Sequence, residues 1–172
     1  MFVIKQNVVY PGHGVARITN IFEKVIAGCA MQYYEVSFLY KDATVLVPVG
    51  NAEGVGLRPL SSCKNVSGVF DNLALPARKL SQYEFTASSW NRRNKEYQSK
   101  MRSGGLKELS EIYRDLRYIA TQKELSFGEK SLLGKAEMLL VEEIALVQDI
   151  DSERVMETLR SLCCSYAQQN QF

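Results

Sequence analysis

The sequence predicts an α+β chain, with a small, strongly bent antiparallel β-sheet or barrel followed by an all-helical C-terminal domain. Up to about residue 60, short β-rich runs are separated by Pro, Gly and Asp turns. Beyond about residue 70, apolar residues recur at three- and four-residue spacing, the period of one helix face. The two periods do not intermix, which favours two domains over a single mixed core. A chain of 172 residues has room for one medium or two small domains, with enough apolar content to bury a core.

Asn7-Val8-Val9-Tyr10 is β-rich and stops at Pro11-Gly12-His13-Gly14, where proline fixes φ and the glycines admit positive φ. Val15 to Phe22 forms a second run, and Ala27-Gly28 marks a turn. Gln32 to Tyr40 reads as a strong strand whose alternation puts Tyr34, Phe38 and Tyr40 on one face. Lys41-Asp42 turns the chain into Thr44-Val45-Leu46-Val47-Pro48, and Leu57 to Leu60 can supply a closing strand. In the second half, Leu106, Leu109, Ile112, Leu116 and Ile119 lie on one helix face after the break at Ser103-Gly104-Gly105. Ser126-Phe127-Gly128-Glu129 has capping-box spacing and opens a helix with the stripe Leu132, Leu133, Ala136, Leu139, Leu140, Ile144 and Val147. Asp149 to Ser152 begins another helix, carrying Val155, Met156, Leu159 and Leu162. The expected organisation is a β domain over 1–62, a linker with first helical turns over 63–80, a helical domain over 81–165 and a frayed tail over 166–172.

A formal charge of +2 makes any nucleic-acid surface a local one. Cys29, Cys63, Cys163 and Cys164 form no C-x-x-C pair, and His13 is the single histidine, so no zinc site and no other metal or cofactor is expected. His13 has no neighbouring nucleophile or carboxylate, and the serine pairs lack a base. No catalytic constellation stands out, and the expected protein is not an enzyme. Met1 to Gln6 shows neither a signal-peptide core nor a cleavage site, and no apolar run is long enough to cross a bilayer. A cytoplasmic protein without membrane contact is expected.

The most distinctive stretch is Trp90-Asn91-Arg92-Arg93-Asn94-Lys95, the single tryptophan within a run of positive charge that extends from Arg78 to Arg102. A flat apolar ring beside several cations can work on bases while the cations hold phosphates. A lone tryptophan more often fills a core, and a charge run more often covers a solvated face. Here Ser88, Ser89, Asn91, Arg92 and Arg93 flank the ring with small, polar or charged groups that suit an exposed position.

Val8-Val9-Tyr10-Pro11-Gly12-His13-Gly14-Val15-Ala16, Val47-Pro48 and Asn51-Ala52-Glu53-Gly54-Val55-Gly56-Leu57-Arg58 resemble the N-terminal domain of the CarD/CdnL bacterial transcription regulators. Trp90-Asn91-Arg92-Arg93, Ser103-Gly104, Arg114-Asp115-Leu116 and Leu125 to Lys130 resemble the same family's helical half, in the same order. The N-terminal half alone also resembles the polymerase-interacting module of the transcription–repair coupling factor, but no phosphate-binding loop of a motor domain occurs.

The resemblance implies a Tudor-like β-barrel that binds the β subunit of the RNA polymerase holoenzyme. It also implies a helical domain whose tryptophan wedges into the minor groove at the upstream edge of the transcription bubble, stabilising the open promoter complex. Carried onto this chain, the DNA-contacting residues are Trp90, Arg92, Arg93 and Lys95, and the polymerase-contacting residues are Lys24, Val45, Leu46 and Val47. Leu46 stands where many relatives carry arginine, which implies a more apolar contact there. A monomer meeting promoter DNA at the upstream fork is expected. The alternative is a polymerase-docking protein whose helices recruit another protein rather than DNA.

Overall fold

The computed structural model describes residues 1–26, 28–76 and 87–169. Five strands come first: β1 (Asn7–Tyr10), β2 (Gly14–Ile26), β3 (Cys29–Phe38), β4 (Thr44–Pro48) and β5 (Arg58–Pro59). They form one sheet in the order β4-β3-β2-β1-β5, and every neighbouring pair is antiparallel. Gly14 opens β2 at φ +110°, a conformation that side-chain-bearing residues rarely adopt, so the turn after Pro11 requires glycine there. A register shift between Ile18 and Asn20 bends the long β2–β3 hairpin. Val8, Ala16, Ile18, Tyr34, Val36, Val47, Ala52 and Leu57 form the core of this half. Tyr34 and Phe38 face it as the alternation requires, whereas Tyr40 lies beyond the end of β3 and is exposed.

The helices are α1 (Cys63–Leu73), α2 (Ala87–Ser103), α3 (Leu106–Gln122), α4 (Phe127–Gln148) and α5 (Ser152–Gln169). Contacts divide the chain into two compact units, Met1–Leu60 and Ser61–Phe172. The stretch expected as a linker with first helical turns opens with an eleven-residue helix, α1, capped by the Ser62 hydroxyl and burying Val66, Val69 and Leu73 in the helical core. α3 is the centre of that core, with Ile112, Tyr113, Leu116 and Ile119 fully buried. Arg114 donates to the carbonyl and side-chain oxygens of Asn72 at 3.0 and 2.9 Å, joining α3 to the end of α1. Gly104, at φ +66°, ends α2. Asp149 ends α4 in the left-handed conformation, and the Asp151 carboxylate accepts from the Glu153 amide at 3.0 Å to open α5. The frayed tail expected over 166–172 lies outside the described residues from 170 onward, and 166–169 continue α5. Arg78 and Lys79 also lie outside them.

Candidate functional site

In the β unit, the register decides which side chains face outward. β2 and β3 pair Lys24 with Met31 and Phe22 with Tyr33, while β3 and β4 pair Glu35 with Leu46. Successive side chains alternate between faces, so these residues share the face opposite Tyr34, Val36 and Val47. Phe22 and Tyr33 stack there at 6.2 Å, with Lys24, Met31 and Leu46 exposed on the same face. β4 is an edge strand, paired within the sheet to β3 alone. Two of the four expected contacts, Val45 and Val47, do not present their side chains on this outer face. Val47 is only 3% exposed and belongs to the core, and Val45 packs half-buried against it, because both alternate with the outward Leu46. Lys24 and Leu46 are both exposed on the outer face.

In the helical unit, the site is built where the first turns of α2 and α4 meet. Arg93, Tyr97 and Met101 recur every four residues and point inward, while Asn91, Arg92 and Lys95 are exposed. Arg93 is thus a buried residue rather than an open phosphate contact. Its Nη2 lies 3.2 Å from Oε1 of Glu129, a carboxylate with no exposed surface. The other carboxylate oxygen accepts from Lys123 Nζ at 2.7 Å and from the Ser126 amide at 2.9 Å. The Glu129 amide in turn donates to Ser126 Oγ at 3.3 Å, completing the capping box expected from the sequence. Burial opposes ionisation of Glu129. The hydrogen bonds from Lys123 and Ser126 outweigh it and hold the carboxyl below its ordinary value of 4.5.

Trp90 is half-buried and packs against the edge of the helical core. Its ring sits beside Gly128 in the first turn of α4, where an added Cβ would meet Cζ2 at 3.3 Å and Nε1 at 3.6 Å. The Arg93 guanidinium carbon sits 6.0 Å from the ring centroid, at the outer limit of a cation–π contact. Lys100, farther along α2, is held by Glu111 at 3.0 Å and Glu96 at 3.2 Å.

Sequence reasoning missed Phe127, the residue before Gly128, which is 90% exposed. It falls off the stripe formed by Glu129, Leu132, Ala136 and Leu139, and that offset is the signal that could have found it. Lys130 on the same turn is open to solvent and pairs with Glu124 at 2.9 Å. Among the described residues, no group of three or more His, Cys, Asp or Glu could hold a metal ion, and no helix is long and apolar enough to cross a membrane.

Comparison with known proteins gives each half a family. Residues 2–61 match the model of the CarD-like/TRCF RID domain, and residues 77–160 match that of the CarD C-terminal domain. The putative transcription factor YdeB of Bacillus subtilis (strain 168) is 28% identical over 162 residues, covering 90% of this chain and 97% of that protein. The solution structure of the 72-residue N-terminal domain of Myxococcus xanthus CarD is 30% identical, covering 34% of this chain and 79% of its own, at a TM-score of 0.31. The second match separates the chain from the repair-coupling factor, which the first match alone leaves open. With an RID-type β domain followed by the CarD helical domain, the chain belongs to the CarD family of transcription regulators.

Proposed function

We propose that this regulator docks on the β subunit of RNA polymerase through the outer face and edge of β4, and stabilises the open promoter complex through Trp90 at the upstream fork. The observation that carries this reading is the seat of Trp90. The ring is neither lost in the core nor loose on the surface, but rests half-buried on Gly128, next in sequence to an exposed phenylalanine. A ring so held can enter a base step that is already opening. Exposed Arg92 and Lys95, on the same helix, neutralise the flanking phosphates. On the polymerase side, Leu46 and Met31 offer apolar contact, Lys24 offers charge, and the β4 edge offers backbone pairing.

The mechanism is differential binding: contacts available only after the duplex begins to open shift the closed–open equilibrium. One aromatic contact contributes about 1–3 kcal/mol, enough for roughly a tenfold shift. Trp90→Ala is therefore expected to retain polymerase binding and shorten the open-complex lifetime about tenfold. An unchanged lifetime contradicts the wedge. A second reading, in which the helical unit recruits another protein, draws support from the exposure of Phe127. It predicts that Arg92→Ala with Lys95→Ala leaves the salt dependence of promoter-complex binding unchanged, whereas DNA contact predicts a shallower slope.

A further inference from the structure

We propose that Glu129 is a positioning residue for Trp90, acting through Arg93, and that Gly128 is held free of a side chain so that the ring can lie on the first turn of α4. This deepens the reading of Trp90 as the DNA-contacting ring and rests on it. Three elements converge on the one carboxylate: Arg93 of α2, Lys123 at the end of α3, and the Ser126 cap of α4. A buried ion pair adds little stability over well-packed apolar side chains of the same size, and the role this proposal gives it is to fix geometry. The geometry fixed here is that of α2 against α4, at the turn that carries Trp90. Arg93 follows Trp90 by three residues on the helix surface, with its guanidinium 6.0 Å from the ring.

The glycines of α4 give the second observation. A Cβ on Gly128 would press on the indole at 3.3 Å, whereas a Cβ on Gly134 of the same helix would meet nothing within 4 Å. The ring thus occupies the space beside Gly128 that a side chain would need, one residue before the glutamate of the ion pair. Gly134 makes an internal control, because alanine raises helix propensity at both positions while touching Trp90 at only one.

The test uses the full chain, in which Trp90 is the only tryptophan and its emission reports on the ring alone. The variants are Gly128→Ala, Gly134→Ala and Glu129→Gln; glutamine keeps the capping geometry and removes the charge. Gly134→Ala is expected to match the wild type in emission, acrylamide quenching and open-complex lifetime. Gly128→Ala is expected to remain folded, yet to shift emission and shorten the lifetime about threefold, as a displaced rotamer would. Glu129→Gln is expected to shift emission in the free protein and shorten the lifetime while its circular dichroism remains helical. Should glutamine prevent folding, Glu129→Asp, which keeps the charge and shortens the reach to Arg93, takes its place with the same expected shift. Wild-type emission and lifetime in Glu129→Gln overturn the positioning role of Glu129, the same result in Gly128→Ala overturns that of Gly128, and a short lifetime in Trp90→Ala then leaves the wedge standing. A wild-type lifetime in Trp90→Ala overturns the wedge itself, and the emission of the two seat variants then decides whether Glu129 and Gly128 hold the ring.

Discussion

In the β unit, Leu46 reaches solvent because Val45 and Val47, its neighbours along β4, face the core. In the helical unit, Trp90 lies half-buried on Gly128, beside an arginine and a glutamate that are themselves buried. The first surface follows from strand alternation, and on it Lys24, Met31 and Leu46 are exposed beside the stacked Phe22 and Tyr33. The second depends on charges taken out of water, which are tolerable only while every partner remains. Surface changes in the β unit should therefore act locally on partner binding. Changes near Trp90 should divide into those that touch the ring and those that undermine it from within.

The largest effect expected from this contrast is on stability. Arg93→Ala leaves the buried Glu129 with fewer partners and should destabilise the helical unit by about 3 kcal/mol, measured by urea denaturation. A loss below about 0.5 kcal/mol would place Arg93 with ordinary surface residues and erase the difference between the units. Leu46→Glu should be nearly neutral for folding, within about 0.5 kcal/mol. It should nevertheless weaken binding to polymerase at least about tenfold in a titration, as loss of a central apolar contact does. Equal loss of stability and binding would show that Leu46 supports the sheet rather than a partner.

The smallest effect concerns pH. Lys123 and the Ser126 cap, against the opposing influence of burial, hold the Glu129 carboxyl below its ordinary value. Arg160, also opposed by burial and assisted by the Tyr113 hydroxyl, does the same for Glu137. A carboxylate depressed on folding adds stability that is fully present above its ordinary value of 4.5 and is lost as the pH falls through the lower folded value. The stability of the helical unit should thus decline below about pH 4.5, and Glu129→Gln should flatten that decline. A Glu129→Gln profile that runs parallel to the wild type would remove Glu129 from the linkage.

How far the sequence reveals these features depends on whether period alone decides them. Strand alternation and the three-to-four spacing of Leu109, Ile112, Leu116 and Ile119 are local, so β3, β4, α3 and α4 are legible from the residues. α1 is less so, because Val66, Val69 and Leu73 have helical spacing but sit among Asn65, Ser67, Gly68 and Asn72, all poor helix formers. Tertiary packing of its buried face overrides that propensity. Val47 was within reach of the alternation rule, since an outward Leu46 requires its neighbours to turn inward. Arg93 reads as part of a basic run because its partner lies thirty-six residues away in sequence. Only its four-residue spacing from Tyr97 hints that it points inward. Phe127 is hidden by its own motif: the capping box explains Ser126 and Glu129 and says nothing about the ring between them.

The most direct test of Trp90 is a 2-aminopurine base placed at the upstream edge of the promoter bubble, read in the polymerase complex with and without this regulator. A wedge unstacks that base step, so wild-type protein should brighten the probe, and Trp90→Ala at equal polymerase occupancy should not. An equal brightening with Trp90→Ala would mean that the ring is not what opens the step.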